Sequence, residues 1–152
     1  MSIATAFNVA TEAHSILEGA REAARLVGLQ YAGDVTPNEA WYLFAHGDAL
    51  LIDVRTVEER ENVGFVPCSL HVAWAVGNPM ERNPNFVREL GGLVDKLDVI
   101  LFLCRSGKRS VAAAEAVSRL GFKNVFNVTE GFEGDGHGNG WRSHDLPWTK
   151  DR

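Results

Sequence analysis

The residues best suited to chemistry stand in one run, Cys104-Arg105-Ser106-Gly107-Lys108-Arg109-Ser110. The thiolate of a cysteine is a nucleophile, and neighbouring positive charge favours the thiolate over the thiol. A glycine lets a short loop curl until successive backbone N–H groups converge on an anion. The run therefore predicts a nucleophilic sulfur, Cys104, inside an anion-binding loop.

The elements on either side of this run decide where the sulfur lies. Residues 98–103 form an apolar run typical of a buried strand, and residues 110–120 carry an apolar stripe at helical spacing. In open α/β sheets, ligands bind at the carboxyl ends of the strands. The unpaired N–H groups and the dipole at a helix start also attract anions. A cysteine ending a buried strand is usually a small core residue, but the three cations and the glycine favour chemistry here.

Strands and helices alternate along the chain from residue 34, which predicts an α/β fold with a central parallel sheet flanked by helices on both faces. Thr36, Pro37 and Glu39 have the spacing of a helix start with a capping box. Residues 79–84 are predicted to be loop. Further strands are predicted at 50–54, 70–73 and 125–128, and further helices at 36 to about 47, 56–61 and 86–93.

The N-terminal region is predicted to be one helix, residues 8–28, ended by Gly28. Residues 1–30 are interpreted as a helical extension, and residues 31–152 as one domain. The apolar stripe of the helix is narrow and rich in alanine, which favours packing on the domain over binding of a partner.

Composition narrows the class of protein. The 152 residues carry a net charge of −5, whereas general nucleic-acid binders have a basic surplus. The apolar run Val99–Leu103 is far shorter than the about 20 residues of a membrane span, and no targeting segment is apparent, so a cytoplasmic protein is expected. Cys68 and the histidines lack the spacing of a zinc site, and no metal or cofactor is predicted. Cys68 is interpreted as a turn residue, with the alternative that it resolves an oxidised Cys104.

Three ordered motifs resemble the rhodanese family of sulfurtransferases. The pattern Cys-Arg-x-Gly-x-Arg-Ser is complete at residues 104–110. The resemblance spans about residues 33–149, and the stretch 64–69 departs from it because the family's histidine and second glycine are absent. The other motifs are Leu51-Ile52-Asp53-Val54-Arg55 with Glu58 and Glu59, and Val128-Thr129-Glu130-Gly131-Phe132 with Gly140-Trp141 and Leu146-Pro147-Trp148.

The resemblance implies a rhodanese-like fold and a mechanism. Cys104 would attack the outer sulfur of a small anionic donor such as thiosulfate, form a persulfide, and pass that sulfur to a thiol or cyanide. Arg109 would stabilise the loop and the bound anion, and Arg105 and Lys108 would attract the donor. The loop expected to bind substrate comprises Arg105, Ser106, Gly107, Lys108, Arg109 and Ser110, and Asp53 and Arg55 are expected to have supporting, structural roles.

Two other functions fit the same residues. One is a carrier or sensor that receives persulfide sulfur from a protein partner and turns over slowly. The other is a phosphatase or arsenate reductase on the same fold. Tyrosine phosphatases place five residues between cysteine and arginine, whereas Cys104 and Arg109 enclose four. The shorter loop makes a tighter cradle and disfavours the phosphatase.

Overall fold

A five-stranded parallel sheet organises the chain in the computed structural model. The structure describes residues 3–150, with side chains from residue 12. The outermost residues of the two predicted regions, 1–2 and 151–152, lie outside the described residues. The strands are β1 Gly33–Val35, β2 Leu50–Asp53, β3 Leu70–His71, β4 Ala75–Val76, β5 Glu81–Arg82, β6 Ile100–Leu103 and β7 Val125–Val128. The order of the strands in the parallel sheet is β1-β7-β6-β2-β3. The helices are α1 Ile3–Val27, α2 Pro37–Ala45, α3 Val57–Asn62, α4 Phe86–Gly91 and α5 Lys108–Ser118, with a 3-10 helix at Trp141–His144.

The two faces of the sheet carry separate apolar cores. Successive side chains of a strand point to opposite faces, so Phe102 of β6 packs with α4 and α5. Leu101 instead packs with residues of α1 and α2 and with Trp141. All four residues of β6 are buried, which explains the uninterrupted apolar run in the sequence. The predicted parallel sheet with helices on both faces is confirmed.

The predicted start of α2 is also confirmed. The Thr36 hydroxyl accepts the Glu39 N–H at 3.1 Å, and the Glu39 carboxylate accepts the Thr36 N–H at 2.8 Å. α5, in contrast, begins at Lys108 rather than at Ser110. The prediction was two residues late because Gly107, with φ +104, turns the chain into the helix directly after the loop.

The prediction of a loop over residues 79–84 was wrong at Glu81–Arg82. This dipeptide pairs in antiparallel fashion with Ala75–Val76 to form a ribbon. The ribbon is held by the guanidinium of Arg82, which lies 4.4 Å from the Trp74 ring centroid, and by the Asn83 N–H, which donates to the Trp74 carbonyl at 2.8 Å. Two-residue strands leave no alternation for a sequence pattern to show.

The N-terminal helix packs on the sheet edge beside β1. It spans Ile3–Val27 rather than 8–28, and its Ala13 and Ala24 are buried. The guanidinium of Arg21 lies 5.2 Å from the Phe126 ring centroid. None of the helices in the described range combines the length and the apolar character needed to cross a membrane.

Candidate active site

Cys104 lies directly after β6, at the carboxyl end of the sheet's central strand, and is only 1% exposed. Its Sγ accepts the Gly107 N–H at 3.1 Å and lies 3.2 Å from the Ser110 Oγ. The positive φ of Gly107 then turns the chain directly into α5. The structure thus brings together the sulfur, one donor of the loop and the first turn of α5.

The segment that follows β7 supports this loop from behind. The Phe132 N–H donates to the Cys104 carbonyl at 2.8 Å, and the Glu133 N–H donates to the Arg105 carbonyl at 2.9 Å. Gly131 has a φ of +69, and a Cβ added there would lie 2.4 Å from the carbonyl carbon of Arg105. Only glycine therefore allows the two backbones to approach this closely.

We expect Gly131→Ala to lower the free energy of unfolding more than Gly136→Ala. Both glycines have positive φ, which costs an L-residue about 1–2 kcal/mol. A Cβ at Gly136 meets open space, whereas at Gly131 it meets backbone and should cost about 1–3 kcal/mol more. Urea unfolding of both variants measures the difference, and equal losses would contradict the close packing of the loop.

Arg109 ties the start of α5 to α3. Its two terminal nitrogens donate to the Glu59 carboxylate at 2.6 and 2.8 Å. Glu59 is itself fixed by a capping box with Thr56 at the start of α3. The guanidinium charge near Cys104 is therefore balanced by a carboxylate, and the ion pair holds the loop's second half in place. Sequence reasoning had named Glu59 only as part of a motif, and the Thr56-x-x-Glu59 spacing was the signal for its position.

The Glu59–Arg109 pair predicts a dependence of stability on pH. Burial alone would raise the pKa of Glu59, but the hydrogen bonds and charge of Arg109, with the Thr56 N–H, lower it from 4.5 to about 2. A carboxyl with a lowered pKa in the folded state stabilises the fold above its unfolded pKa, and this stabilisation disappears as the pH falls from about 4.5 towards 2. We expect the free energy of unfolding of Glu59→Gln to decline less steeply with acid over this range, as measured by urea unfolding. Glu58→Gln, at the exposed neighbouring position, is the control, and identical slopes for Glu59→Gln and wild type would contradict the assignment.

The remaining loop residues lie at the surface. Arg105, Ser106 and Lys108 are exposed, and the Arg105 guanidinium faces Glu133 at 3.5 Å. Two clefts flank this contact. One, of about 590 Å³, is lined partly by Glu58, Met80, Arg105 and Arg109, and the other, of about 540 Å³, partly by Arg105, Lys108, Glu133 and Arg142. Carboxylates line both clefts, so the three cations of the run do not converge on one positive pocket.

Asp53 and Arg55 form a fully buried pair at the end of β2. Arg55 donates through Nε and Nη2 to both Asp53 oxygens at 2.8–3.2 Å, and through Nη2 to the Gly64 carbonyl at 2.7 Å. Arg60 adds a bond to Asp53 at 3.0 Å. The Arg55 guanidinium lies 4.3 Å from the ring centroid of Phe132, whose N–H holds the Cys104 carbonyl. The pair therefore contacts the Cys104 loop indirectly, through Phe132.

Cys68 lies apart from this arrangement. It is a free, exposed cysteine with a φ of +68, and it lines a separate cleft of about 470 Å³ with Arg60 and His71. Among residues whose side chains are described, no three His, Cys, Asp or Glu side chains are grouped as metal ligands would be.

Sequence reasoning did not find Asn127, which accepts a hydrogen bond from the Ser110 hydroxyl at 2.5 Å. In the sequence, Asn127 is marked only as the one polar residue of the predicted strand 125–128.

Comparison with known proteins places the chain in context. The family model described as "Rhodanese-like domain" matches residues 36–135. The chain is 38% identical over 112 residues to "Uncharacterized protein RP600 homolog" of Rickettsia rickettsii, covering 70% of this chain and 87% of that protein. It is 36% identical over 102 residues to "Rhodanese-like domain-containing protein 17" of Arabidopsis thaliana, covering 62% of each.

Solved structures agree with the sequence matches. The crystal structure of Rv0390 from M. tuberculosis superposes with a TM-score of 0.71 at 37% identity, covering 80% of this chain and 99% of that one. The polysulfide-sulfur transferase homodimer from Wolinella succinogenes superposes with a TM-score of 0.56 at 18% identity, covering 98% and 93%. The second likeness is one of fold alone.

Proposed function

The chain belongs to the family of rhodanese-like domains, and on that premise we propose that it moves sulfane sulfur from a donor to an acceptor through a persulfide on Cys104. The observation that carries the proposal is the placement of the Cys104 sulfur. It lies at the end of the central strand, under a loop whose Gly107 N–H donates to it and whose next residue begins a helix. This position offers a nucleophile and a place where negative charge is stabilised.

The first half of the proposed reaction loads the enzyme. The Cys104 thiolate attacks the outer sulfur of a small anionic donor such as thiosulfate. The S–S bond of the donor breaks, and sulfite leaves with the electron pair. Cys104 now carries a persulfide, whose terminal sulfur bears the negative charge and lies within reach of the loop's N–H groups. The exposed Lys108 favours the approach of an anion, and so does Arg105 to the extent that its charge is not offset by Glu133 at 3.5 Å.

The second half of the proposed reaction transfers the sulfur from Cys104 to the acceptor. A thiolate or cyanide attacks the terminal sulfur, the Cys104 S–S bond breaks, and Cys104 leaves as the thiolate that began the cycle. Because the donor product leaves before the acceptor reacts, the kinetics should be ping-pong. Gly107 and the remaining loop N–H groups stabilise the charge in both halves, and Arg109 acts by holding α5 and the loop against Glu59.

The proposed cycle uses no cofactor, and its partners are a small sulfur donor and a thiol or cyanide acceptor, with a protein donor or acceptor as a variant. It needs a reduced thiol on Cys104, which fits a cytoplasmic protein. Both cysteines are free in the described structure, in keeping with this proposal. Nucleic acids are not proposed as partners because the net charge is −5. Membranes are not proposed because the apolar run Val99–Leu103 is far shorter than the about 20 residues of a span.

The proposal is tested by loading the protein with thiosulfate and measuring the masses of the intact protein and of its peptides. We expect the peptide containing Cys104 to gain one sulfur atom, about 32 Da, and cyanide to remove it as thiocyanate. Cys68→Ser is the matched control and should load equally, because Cys68 lies in a different cleft. Absence of both the adduct and thiocyanate would reject the proposal. An adduct with slow release would indicate a sulfur carrier, and hydrolysis of a phenyl phosphate would indicate the phosphatase.

A further inference from the structure

A chain of hydrogen bonds leads from the Cys104 sulfur along one face of the sheet to its edge strand β1. The Ser110 Oγ lies 3.2 Å from Sγ and 2.5 Å from the Asn127 Oδ1. The Asn127 Nδ2 donates to Asp34 at 3.1 Å, and the Tyr31 hydroxyl donates to the same carboxylate oxygen at 2.8 Å. Ser110 is fully buried and Asn127 is 4% exposed, so little water competes for the inner bonds.

The donors and acceptors of this chain can be arranged in only one way. A carboxylate accepts hydrogen bonds and donates none, so Asn127 must turn its NH₂ group towards Asp34. The Asn127 oxygen then faces Ser110 and requires a hydrogen from it. A serine hydroxyl has one hydrogen, and here it is donated to the Asn127 oxygen. Ser110 consequently presents lone pairs, and no hydrogen, to Cys104.

We infer that Asn127 is a positioning residue that fixes the Ser110 hydroxyl as a hydrogen-bond acceptor for the Cys104 thiol. The inference deepens the proposed function, since it assumes that Cys104 is the nucleophile. The chain does not conduct protons, because the amide of Asn127 accepts at its oxygen and donates from its nitrogen without passing a proton between them. Its effect is to set the orientation of one hydroxyl.

This orientation controls the balance between thiol and thiolate. When Cys104 loses its proton, the Ser110 lone pairs face a negative sulfur, and the Gly107 N–H remains as its donor. If Asn127 no longer takes the Ser110 hydrogen, that hydrogen can turn to the sulfur and form a charge-assisted bond, which favours the thiolate. Asn127 therefore restrains the reactivity of the resting thiol.

The charged groups around the sulfur are unchanged by an uncharged substitution at residue 127. Arg109 from α5 interacts electrostatically with Cys104 and with Asp53 from β2, and its guanidinium is paired with Glu59 from α3. Arg105 and Lys108 of the loop are exposed, and the Asp34 carboxylate from β1 accepts the Asn127 amide. Asn127→Ala and Asn127→Leu add and remove no formal charge, so a shift that they produce comes from the altered hydrogen bonds.

The test is the rate of alkylation by iodoacetamide as a function of pH, in a Cys68→Ser background that leaves Cys104 as the reacting thiol. We expect Asn127→Ala, and the nearly isosteric Asn127→Leu, to shift the midpoint of the profile by about one pH unit towards acid. At a pH below the wild-type midpoint, this corresponds to an about tenfold faster alkylation. No sulfur donor is present, so the outcome does not depend on whether the protein transfers sulfur.

A Ser110→Ala background separates this positioning role from a structural one. Without the Ser110 hydroxyl there is no hydrogen to redirect, so replacing Asn127 should leave the midpoint where Ser110→Ala alone puts it. If neither Asn127 variant folds, Asp34→Ala at the exposed end of the chain replaces them, because it frees the Asn127 amide to turn. Since this variant also removes a negative charge, only the part of its shift that disappears in the Ser110→Ala background supports the inference. An unchanged midpoint, or the same shift with and without Ser110, would overturn the inference.

Discussion

Replacing Cys104 by serine is expected to lower the rate of sulfur transfer at least about a thousandfold while leaving the fold intact. A serine hydroxyl is a far weaker nucleophile than a thiolate, and it cannot form a persulfide. Serine is close in size to cysteine and can still accept the Gly107 N–H, so little packing is lost at this buried position. Release of thiocyanate from thiosulfate and cyanide measures the rate, and urea unfolding measures the stability.

The companion variant Cys68→Ser removes the other cysteine of the chain and should retain the wild-type rate. Together the two variants assign the chemistry to one sulfur. Substantial turnover by Cys104→Ser would contradict the proposed cycle, whatever the behaviour of Cys68→Ser. A loss of rate in Cys104→Ser that came with a large loss of stability would instead mean that the cysteine is a core residue.

The sequence predicted those features that depend on neighbouring residues. β6 is buried on both faces, so it is an uninterrupted apolar run, and the cysteine loop follows it without a break. The capping box at Thr36 joins residues three apart, which a sequence pattern can show. By contrast, Arg109 and Glu59 are 50 positions apart, and their pairing results from the strand order of the sheet.

The same distinction explains the electrostatics of the loop. Three cations within five residues predict a positive pocket, because a sequence shows charges that are close along the chain. The structure sets Glu59 against Arg109 and Glu133 against Arg105, both from other segments. The sheet similarly brings Asp34 and Asn127 together, although they are 93 positions apart. The carboxylates that offset the charges of the Cys104 loop are therefore found only once the fold is known.

The buried pair of Asp53 and Arg55 carries the largest expected effect on stability. Arg55→Met is expected to lower the free energy of unfolding by about 3–5 kcal/mol, because it removes the main partner of a fully buried carboxylate. It also leaves the Gly64 carbonyl without the Arg55 bond and removes the cation over Phe132. Urea unfolding of wild type and variant measures the loss.

Arg60→Gln is the matched control for this loss. Arg60 contacts the same Asp53 oxygen at 3.0 Å but is partly exposed, so water can replace part of its contribution, and we expect a markedly smaller decrease. Replacing both partners, as Asp53→Leu with Arg55→Met, should recover part of the stability lost in Arg55→Met, because no buried charge then remains at Asp53. If the double variant were instead less stable than Arg55→Met, removing the carboxylate would have brought no benefit. The stability lost in Arg55→Met would then come from the lost packing of the arginine side chain. Recovery of stability in the double variant would show that the unpaired Asp53 carboxylate causes the loss. The region that supports the Cys104 loop would then depend on charge pairing as well as on packing.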